Sequence, residues 1–335
     1  MTGTVSIIGG ESLIGRELRD LITKAKLSVR IKLIGVDEDA ATLTQHGGEA
    51  VVITPLDGDN LRGSQLAFLA GSTSSSRKVR ALASKLKPSP ILIDLTYAEE
   101  DEPSARLRAP MVEPPGYDAS AGTLHVIAHP ASIALALFLT RLRQAHPIRR
   151  STAHVFEPAS ERGRRGIDEL QKQTVNLLSF HNLPKDVFDA QLCFNMLAGY
   201  GSEAPEALES VELRIERHLA TLLAAWGNVP MPSVRLIQAP VFHGYSISAR
   251  VEFEEKPNLE VIARALERSG VDLRGPDIEP PSNVGVTGQD GISVGSIVID
   301  RNDALACWFW IVADNFRLMA GNALAAGRAL LGIAE

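Results

Sequence analysis

The chain has 335 residues, room for two domains at roughly 150 residues each. Hydrophobic residues make up 45% and charged residues 22%, which excludes a disordered chain. Lys and Arg number 34 against 40 Asp and Glu, a net charge of −6, so no global attraction draws the chain to nucleic acid or to anionic lipid.

Val5 to Gly9 is a short apolar run ending in glycine, which predicts a buried strand. The turn Gly9-Gly10-Glu11-Ser12-Leu13-Ile14-Gly15 follows. A helix is then predicted, with Leu13, Leu18, Leu21 and Ile22 on one side. Strand, glycine turn and helix together outline a dinucleotide site, where a helix N-terminus offers free N–H groups to a pyrophosphate. Ser12 stands where close backbone approach usually wants glycine. A second strand, Ile31 to Val36, leads into Asp37 and Glu38, acids that can accept from a ribose hydroxyl and repel a 2′-phosphate. A bound dinucleotide is therefore expected to be NAD rather than NADP.

Val51 to Thr54, Leu66 to Leu69 and Ile91 to Asp94 are further strand candidates. Gly71 to Ser76 reads as a polar turn before a helix near Arg77 to Leu86. Strands alternating with helices predict a parallel sheet covered on both faces. From about Ala131 the pattern changes. Ser132 is placed to cap a helix over Ile133 to Leu142, with further helices at Gly166 to Phe180 and Val211 to Trp226. Strand signals then appear at 234–237, 245–253, 293–299 and 307–312, with helices near 259–269 and 316–331. Gly275 to Gly291 is a loop rich in Pro, Gly and Asn. The second part is expected to be α+β with a mixed sheet. The expected boundaries are 1–130 with 316–335 for the first domain and 131–315 for the second.

Cys193 and Cys307 sit among apolar neighbours and read as buried free thiols. No His, Cys or acid cluster has metal-ligand spacing, so no metal is expected. Arg149, Arg150, Arg162, Arg164 and Arg165 are the one basic concentration, expected as a solvated face. No apolar stretch reaches about 18 residues and no signal-peptide pattern opens the chain. The expected location is the cytoplasm.

The motifs together resemble the aspartate-semialdehyde dehydrogenase family over nearly the whole length. They are Gly9 to Gly15, Phe68-Leu69-Ala70-Gly71-Ser72 with Ser76-Arg77, Ile93-Asp94, Ile127-Ala128-His129-Pro130-Ala131-Ser132, Phe194-Asn195-Met196-Leu197, Pro240-Val241-Phe242, Gly295, and Val312-Ala313-Asp314-Asn315-Phe316-Arg317. The resemblance implies a Rossmann-like nucleotide-binding domain completed by the C-terminal helix, an inserted dimerisation domain, and a homodimer whose large sheets pack together. It places the dinucleotide at Gly9, Ser12, Leu13, Ile14, Gly15, Asp37, Glu38, Gly71, Ser72 and Asn315.

The family reaction needs a cysteine thiolate, a base and clamps for anions. By the resemblance the nucleophile position holds Ala131, the base position Tyr245, and the carboxylate-binding arginine position Gln238. The glutamine beside the thioester falls at Glu157, the phosphate-binding arginine at Glu99 or Glu100, and a substrate lysine near Glu212. Groups that would bind anions have become neutral or acidic, so a neutral or cationic ligand is favoured. In this the chain resembles the Usg-type paralogues, which lack the catalytic cysteine. Ser132 is a candidate replacement nucleophile, and His243, two residues before Tyr245, a displaced base on the same strand face. His129, Ser132 and Glu157 together have the residue types of a hydrolytic triad. Two readings stay open. One is a catalytically incomplete dimer that retains NAD or another small ligand. The other is an active NAD(P)-dependent oxidoreductase of amino-acid biosynthesis with rearranged residues.

Overall fold

The computed structural model describes residues 3–36, 42–118 and 122–333. It divides into two compact units: 1–128 with 319–335, and 129–318.

Unit 1 runs β1 (Thr4–Ile8), α1 (Leu13–Lys24), β2 (Arg30–Ile34), β3 (Leu43–His46), β4 (Glu49–Val52), α2 (Gly58–Leu61), β5 (Leu66–Leu69), α3 (Thr73–Ala83), β6 (Ile91–Asp94), β7 (Arg106–Arg108) and β8 (Leu124–Ile127). Six of these strands form one sheet in the order β2-β1-β5-β6-β8-β7. Every pairing in it is parallel. Parallel strands are buried on both faces, hence the largely apolar runs at Val5–Ile8 and Leu66–Leu69. Ile8, Ile34, Ala67, Leu69, Val79 and Leu92 form part of the core. The result is a Rossmann-like sheet.

Unit 2 runs α4 (Pro130–Ala145), β9 (Ile148–Glu157), a 3-10 turn (Ala159–Arg162), α5 (Gly163–Leu178), α6 (Leu208–Ala224), β10 (Ser233–Gln238), β11 (Tyr245–Phe253), α7 (Leu259–Leu266), β12 (Val271–Leu273), β13 (Ile292–Ile299) and β14 (Ala306–Ala313). A last helix, α8 (Asn315–Leu331), begins in unit 2 and ends in unit 1. The sheet order is β10-β9-β11-β14-β13-β12. Its outer pairs are parallel and its inner pairs antiparallel, a mixed sheet. α4 is apolar all round, with Ile133 to Leu139 each at most 1% exposed, so it is the central helix of this unit. Phe138 on α4 meets Phe309 on β14 edge-on, with ring centroids 4.9 Å apart.

Two local expectations are corrected, and one strand lies where none was expected. The serine run is not a turn before a later helix: α3 starts at Thr73. Ser72 caps it, and Ser72 and Ser75 exchange side-chain-to-backbone bonds in a capping box. Nor does Ser132 cap α4. Pro130 occupies the first turn, where its missing N–H costs nothing, and His129 is the N-cap. The Ser132 hydroxyl instead donates to the Ile215 carbonyl at 2.8 Å. Finally, β9 carries Arg149 and Arg150 and shows no apolar run, yet it lies inside the sheet, because Ser151, Ala153, Val155 and Glu157 are its inward-facing residues.

Candidate functional site

In unit 1 the glycine turn is held by its own atoms. Ser12 caps α1, accepting from Gly15 N–H at 3.0 Å and donating to the Ala70 carbonyl at 2.6 Å. Its place in the motif is thus a cap and a tie to the strand end beside it. Gly9 has φ +74°, and a Cβ there would overlap the Gly71 backbone. A Cβ on Gly15 would overlap the Gly9 carbonyl. These glycines are demanded by backbone packing between the two turns, whatever ligand they meet. Leu13 and Ile14 form the first turn of α1 and are half-buried. Glu11 pairs with Arg16 at 2.9 Å and with buried Arg19, so the loop's acid is neutralised within the chain. Asp37 and Glu38 lie outside the described residues.

In unit 2 the N-terminus of α4 carries the position assigned to the nucleophile. Ala131 is fully buried and offers only a methyl group. His129 Nδ1 accepts from the Ala131 N–H at 3.3 Å, and the His129 N–H donates to His218 Nδ1 at 3.0 Å. An accepting Nδ1 places the proton of a neutral His129 on Nε2. That nitrogen lies 3.5 Å from the Tyr245 hydroxyl and 3.7 Å from Glu161. Burial, then the charges of His218, Arg214 and Arg162, hold the His129 imidazolium well below its usual range, so the ring is neutral.

Glu157, at the end of β9, is fully buried. It accepts from Arg162 at 2.7 Å and from the Tyr200 hydroxyl at 3.3 Å. Arg162 also pairs with Glu206, which pairs in turn with Arg214 at 3.1 Å. Burial opposes the Arg162 charge, but Glu157, then Tyr200 and Glu206, raise its pKa well above normal. Gln238 accepts from Tyr200 at 2.6 Å and donates to the carbonyls of Glu157 and Ala239. Burial, then Glu157, pushes the Tyr200 hydroxyl up, keeping it a neutral donor.

Glu161 stands beside this cluster. Asn315 donates to it at 2.7 Å, and Tyr245 also bonds it. Burial first, and then the neighbouring Glu157, raise its pKa to about 7, against the pull of Asn315, Arg162 and Tyr245. Glu161, Arg162, Arg165, Val187, Pro205 and Glu206 line a cleft of about 280 Å³. Asn315 is thus committed within unit 2, to Glu161, Ser160 and the Gly244 N–H.

The remaining candidates fall elsewhere. His243 is exposed and meets Phe316 edge-on at 5.8 Å. It does not share a strand face with Tyr245, because β11 starts at Tyr245 and Gly244 turns the chain with φ +82°. His129, Ser132 and Glu157 form no triad: Ser132 is bonded to Ile215, and Glu157 is bonded to Arg162 and Tyr200. Glu99 is buried against Arg80 at 2.7 Å, while Glu100 follows it in a turn. Glu212 pairs with Arg235 at 3.3 Å and accepts from the Leu236 N–H. Both cysteines are buried thiols, and burial raises Cys307 to about 11, so neither is poised as a thiolate. Gly71 and Ser72 serve the turn and cap of α3. The expected solvated basic face is corrected at Arg162, which is half-buried in ion pairs with two glutamates.

In the sequence no motif marks Glu161, Arg162, Tyr200 or His218 as site residues. The spacing Glu157-x-x-x-Glu161-Arg162, two acids with an arginine beside the second, is the signal the sequence carries. Among the described residues no group of three or more His, Cys, Asp or Glu is placed to hold a metal. None of the described helices is long and apolar enough to cross a membrane.

Comparison with known proteins adds the following. A family profile described as the semialdehyde dehydrogenase dimerisation domain matches residues 139–318. A USG-1 protein homolog of Pseudomonas aeruginosa is 28% identical over 98% of this chain and 97% of its own. The aspartate-semialdehyde dehydrogenase of Rickettsia bellii is 25% identical over 93% of each chain. The solved structure of a probable aspartate-semialdehyde dehydrogenase from Pseudomonas aeruginosa superposes with a TM-score of 0.87 at 27% identity, covering 99% of both chains.

Proposed function

The chain belongs to the semialdehyde dehydrogenase family by its dimerisation domain, and from that premise we propose that it is a catalytically incomplete, USG-1-like member. One observation carries the proposal. Ala131 presents no nucleophile, and the polar groups at the other three assigned positions, Glu157, Gln238 and Tyr245, are bonded to residues of the same cluster. Loss of a covalent nucleophile alone typically removes a factor of about 10⁴–10⁶ in rate. The test is phosphate- and dinucleotide-dependent turnover of aspartate semialdehyde. No activity is expected from the native chain, and robust turnover would overturn the proposal. Ala131→Cys with Tyr245→His asks how much of the lost chemistry those two positions explain.

The Rossmann-like sheet and the capped N-terminus of α1 fit a dinucleotide, with Gly9 to Gly15, Gly71 and Ser72 the residues that would hold it. Such a cofactor would supply hydride transfer. Asp37 and Glu38 would favour NAD, with Asn315 as a further candidate contact. Thermal unfolding with NAD, NADH, NADP and NADPH tests this: at 100 times its Kd a ligand adds about 2.7 kcal/mol. A shift with the NAD forms alone is expected.

A homodimer through the mixed sheet is part of the same proposal. Ser248, Arg250, Trp308 and Trp310 are half-buried side chains alternating with the core residues of β11 and β14. A partner's sheet would cover this face. Ser248→Glu is expected to convert a dimer to a monomer in sedimentation.

A second reading, a rearranged enzyme of amino-acid biosynthesis, has Glu161 in its favour. Its near-neutral carboxyl lines a cleft and adjoins His129 and Tyr245, as a general acid–base group would. Turnover of a candidate aldehyde that disappears in Glu161→Gln would support it.

A further inference from the structure

The structure assigns a guanidinium-binding pocket to the space between Glu157, Glu206 and Tyr200, and Arg162 fills it as a ligand supplied by the chain itself. This deepens the non-catalytic reading of the cluster, and rests on it for the claim that the site is closed from within.

Both terminal nitrogens of Arg162 are taken by acids: Nη2 donates to Glu157 at 2.7 Å and Nη1 to Glu206. The guanidinium carbon lies 5.7 Å from the centroid of the Tyr200 ring. Two carboxylates around a planar fork, with an aromatic ring alongside, is the arrangement that recognises guanidinium.

The receptor and its occupant come from different segments. Glu157 ends β9, Gln238 ends β10, and Tyr200 and Glu206 lie in the connection between α5 and α6. Gln238 is tied by its amide to two carbonyls, so its Oε1 holds the Tyr200 hydroxyl. Arg162 enters from the 3-10 turn, just before Gly163 with φ +64°. Removing its side chain therefore leaves the receptor walls standing. Arg162 and Glu206 also line the 280 Å³ cleft, which gives a free ion a route in. The fit is incomplete at two points: Glu157 Oε2 and Arg162 Nε are buried without a hydrogen-bond partner among the described residues. A tethered head group cannot adjust to both acids as an untethered one can.

The test is thermal unfolding of Arg162→Ala, titrated with guanidinium chloride in the low millimolar range against sodium chloride. Breaking a buried pair is expected to lower Tm by about 6–20 °C. Guanidinium is expected to recover several degrees of that loss saturably, where sodium recovers none, and to leave the native protein unraised. The double variant Glu157→Gln/Arg162→Ala is expected to lose the response. If Arg162→Ala does not fold, refolding yields of both variants in the two salts serve in place of Tm. Equal responses of the single and double variants, or no response to guanidinium, would overturn the inference. Dehydrogenase activity in the native chain would instead overturn the non-catalytic reading while leaving occupancy by Arg162 to stand on the titration.

Discussion

The chain has two helix N-termini on which its chemistry would depend, and they are finished differently. α1 is capped by Ser12 and packed through glycines, so its geometry rests on backbone atoms and the absence of side chains. α4 is capped by His129 and stands beside a cluster of acids, arginines and tyrosines. The first is a shape that depends on what is missing. The second is a shape that depends on many charged groups being present together. A glycine turn tolerates the loss of its ligand, because its own packing still requires the glycines. In a buried charge cluster every single loss is costly, because each charge is the solvation of its neighbour.

That contrast can be broken experimentally. The largest effect is expected at Glu157→Ala, which strands Arg162 without its buried partner and should cost about 3–5 kcal/mol in urea unfolding. A cost below about 1 kcal/mol would show that the cluster is far more compliant than its burial suggests. Gly15→Ala comes next. Its methyl group would meet the Gly9 carbonyl, and a cost on the order of 2–4 kcal/mol is expected in the same measurement. Together the pair asks whether charge or shape is the more brittle.

Acidity sharpens the comparison, since the α4 cluster holds a carboxyl raised toward neutrality while Glu11 in the α1 turn is lowered. Glu161 is raised in the fold from 4.5 to about 7, so the native state binds its proton more tightly than the unfolded state does. The stability this contributes is present in full below about pH 4.5 and is lost as pH climbs through about 7. Glu161→Gln should therefore flatten the fall of the urea midpoint across that window, and an unchanged slope would remove Glu161 from the account. Smallest of the effects, Tyr245→Phe and Ser12→Ala should each cost about 1 kcal/mol, one losing a buried hydroxyl and the other a helix cap.

Legibility in the sequence follows the same divide. The parallel sheet could be read because buried parallel strands are mostly apolar, as in Val5 to Gly9 and Leu66 to Leu69. β9 could not, since Arg149 and Arg150 look outward while its inward residues include a serine and a glutamate. The cap of α4 lies three residues before the serine that the sequence offers: serine is the commoner cap, and a histidine cap has no comparable signature. At the site, the positions Ala131, Glu157, Gln238 and Tyr245 could be named in advance, but not what they touch. In the sequence Arg162 reads as one more surface arginine, and nothing marks Tyr200. Their roles come from segments that the fold brings to the ends of β9 and β10, and separation along the chain hides such meetings.

The division of the chain has a consequence for synthesis. Residues 129–318 form one unit without interruption, whereas the other needs 319 onward to finish. Gly327 on α8 lies against Phe68 and Ile93, so the parallel sheet gains this cover only after the whole insert has been made. A chain growing from its N-terminus thus has the sheet's strands in hand early and holds them incomplete while the entire insert is made. The inserted unit, although it comes later, is the first whose full sequence leaves the ribosome, and it is the first able to fold to completion.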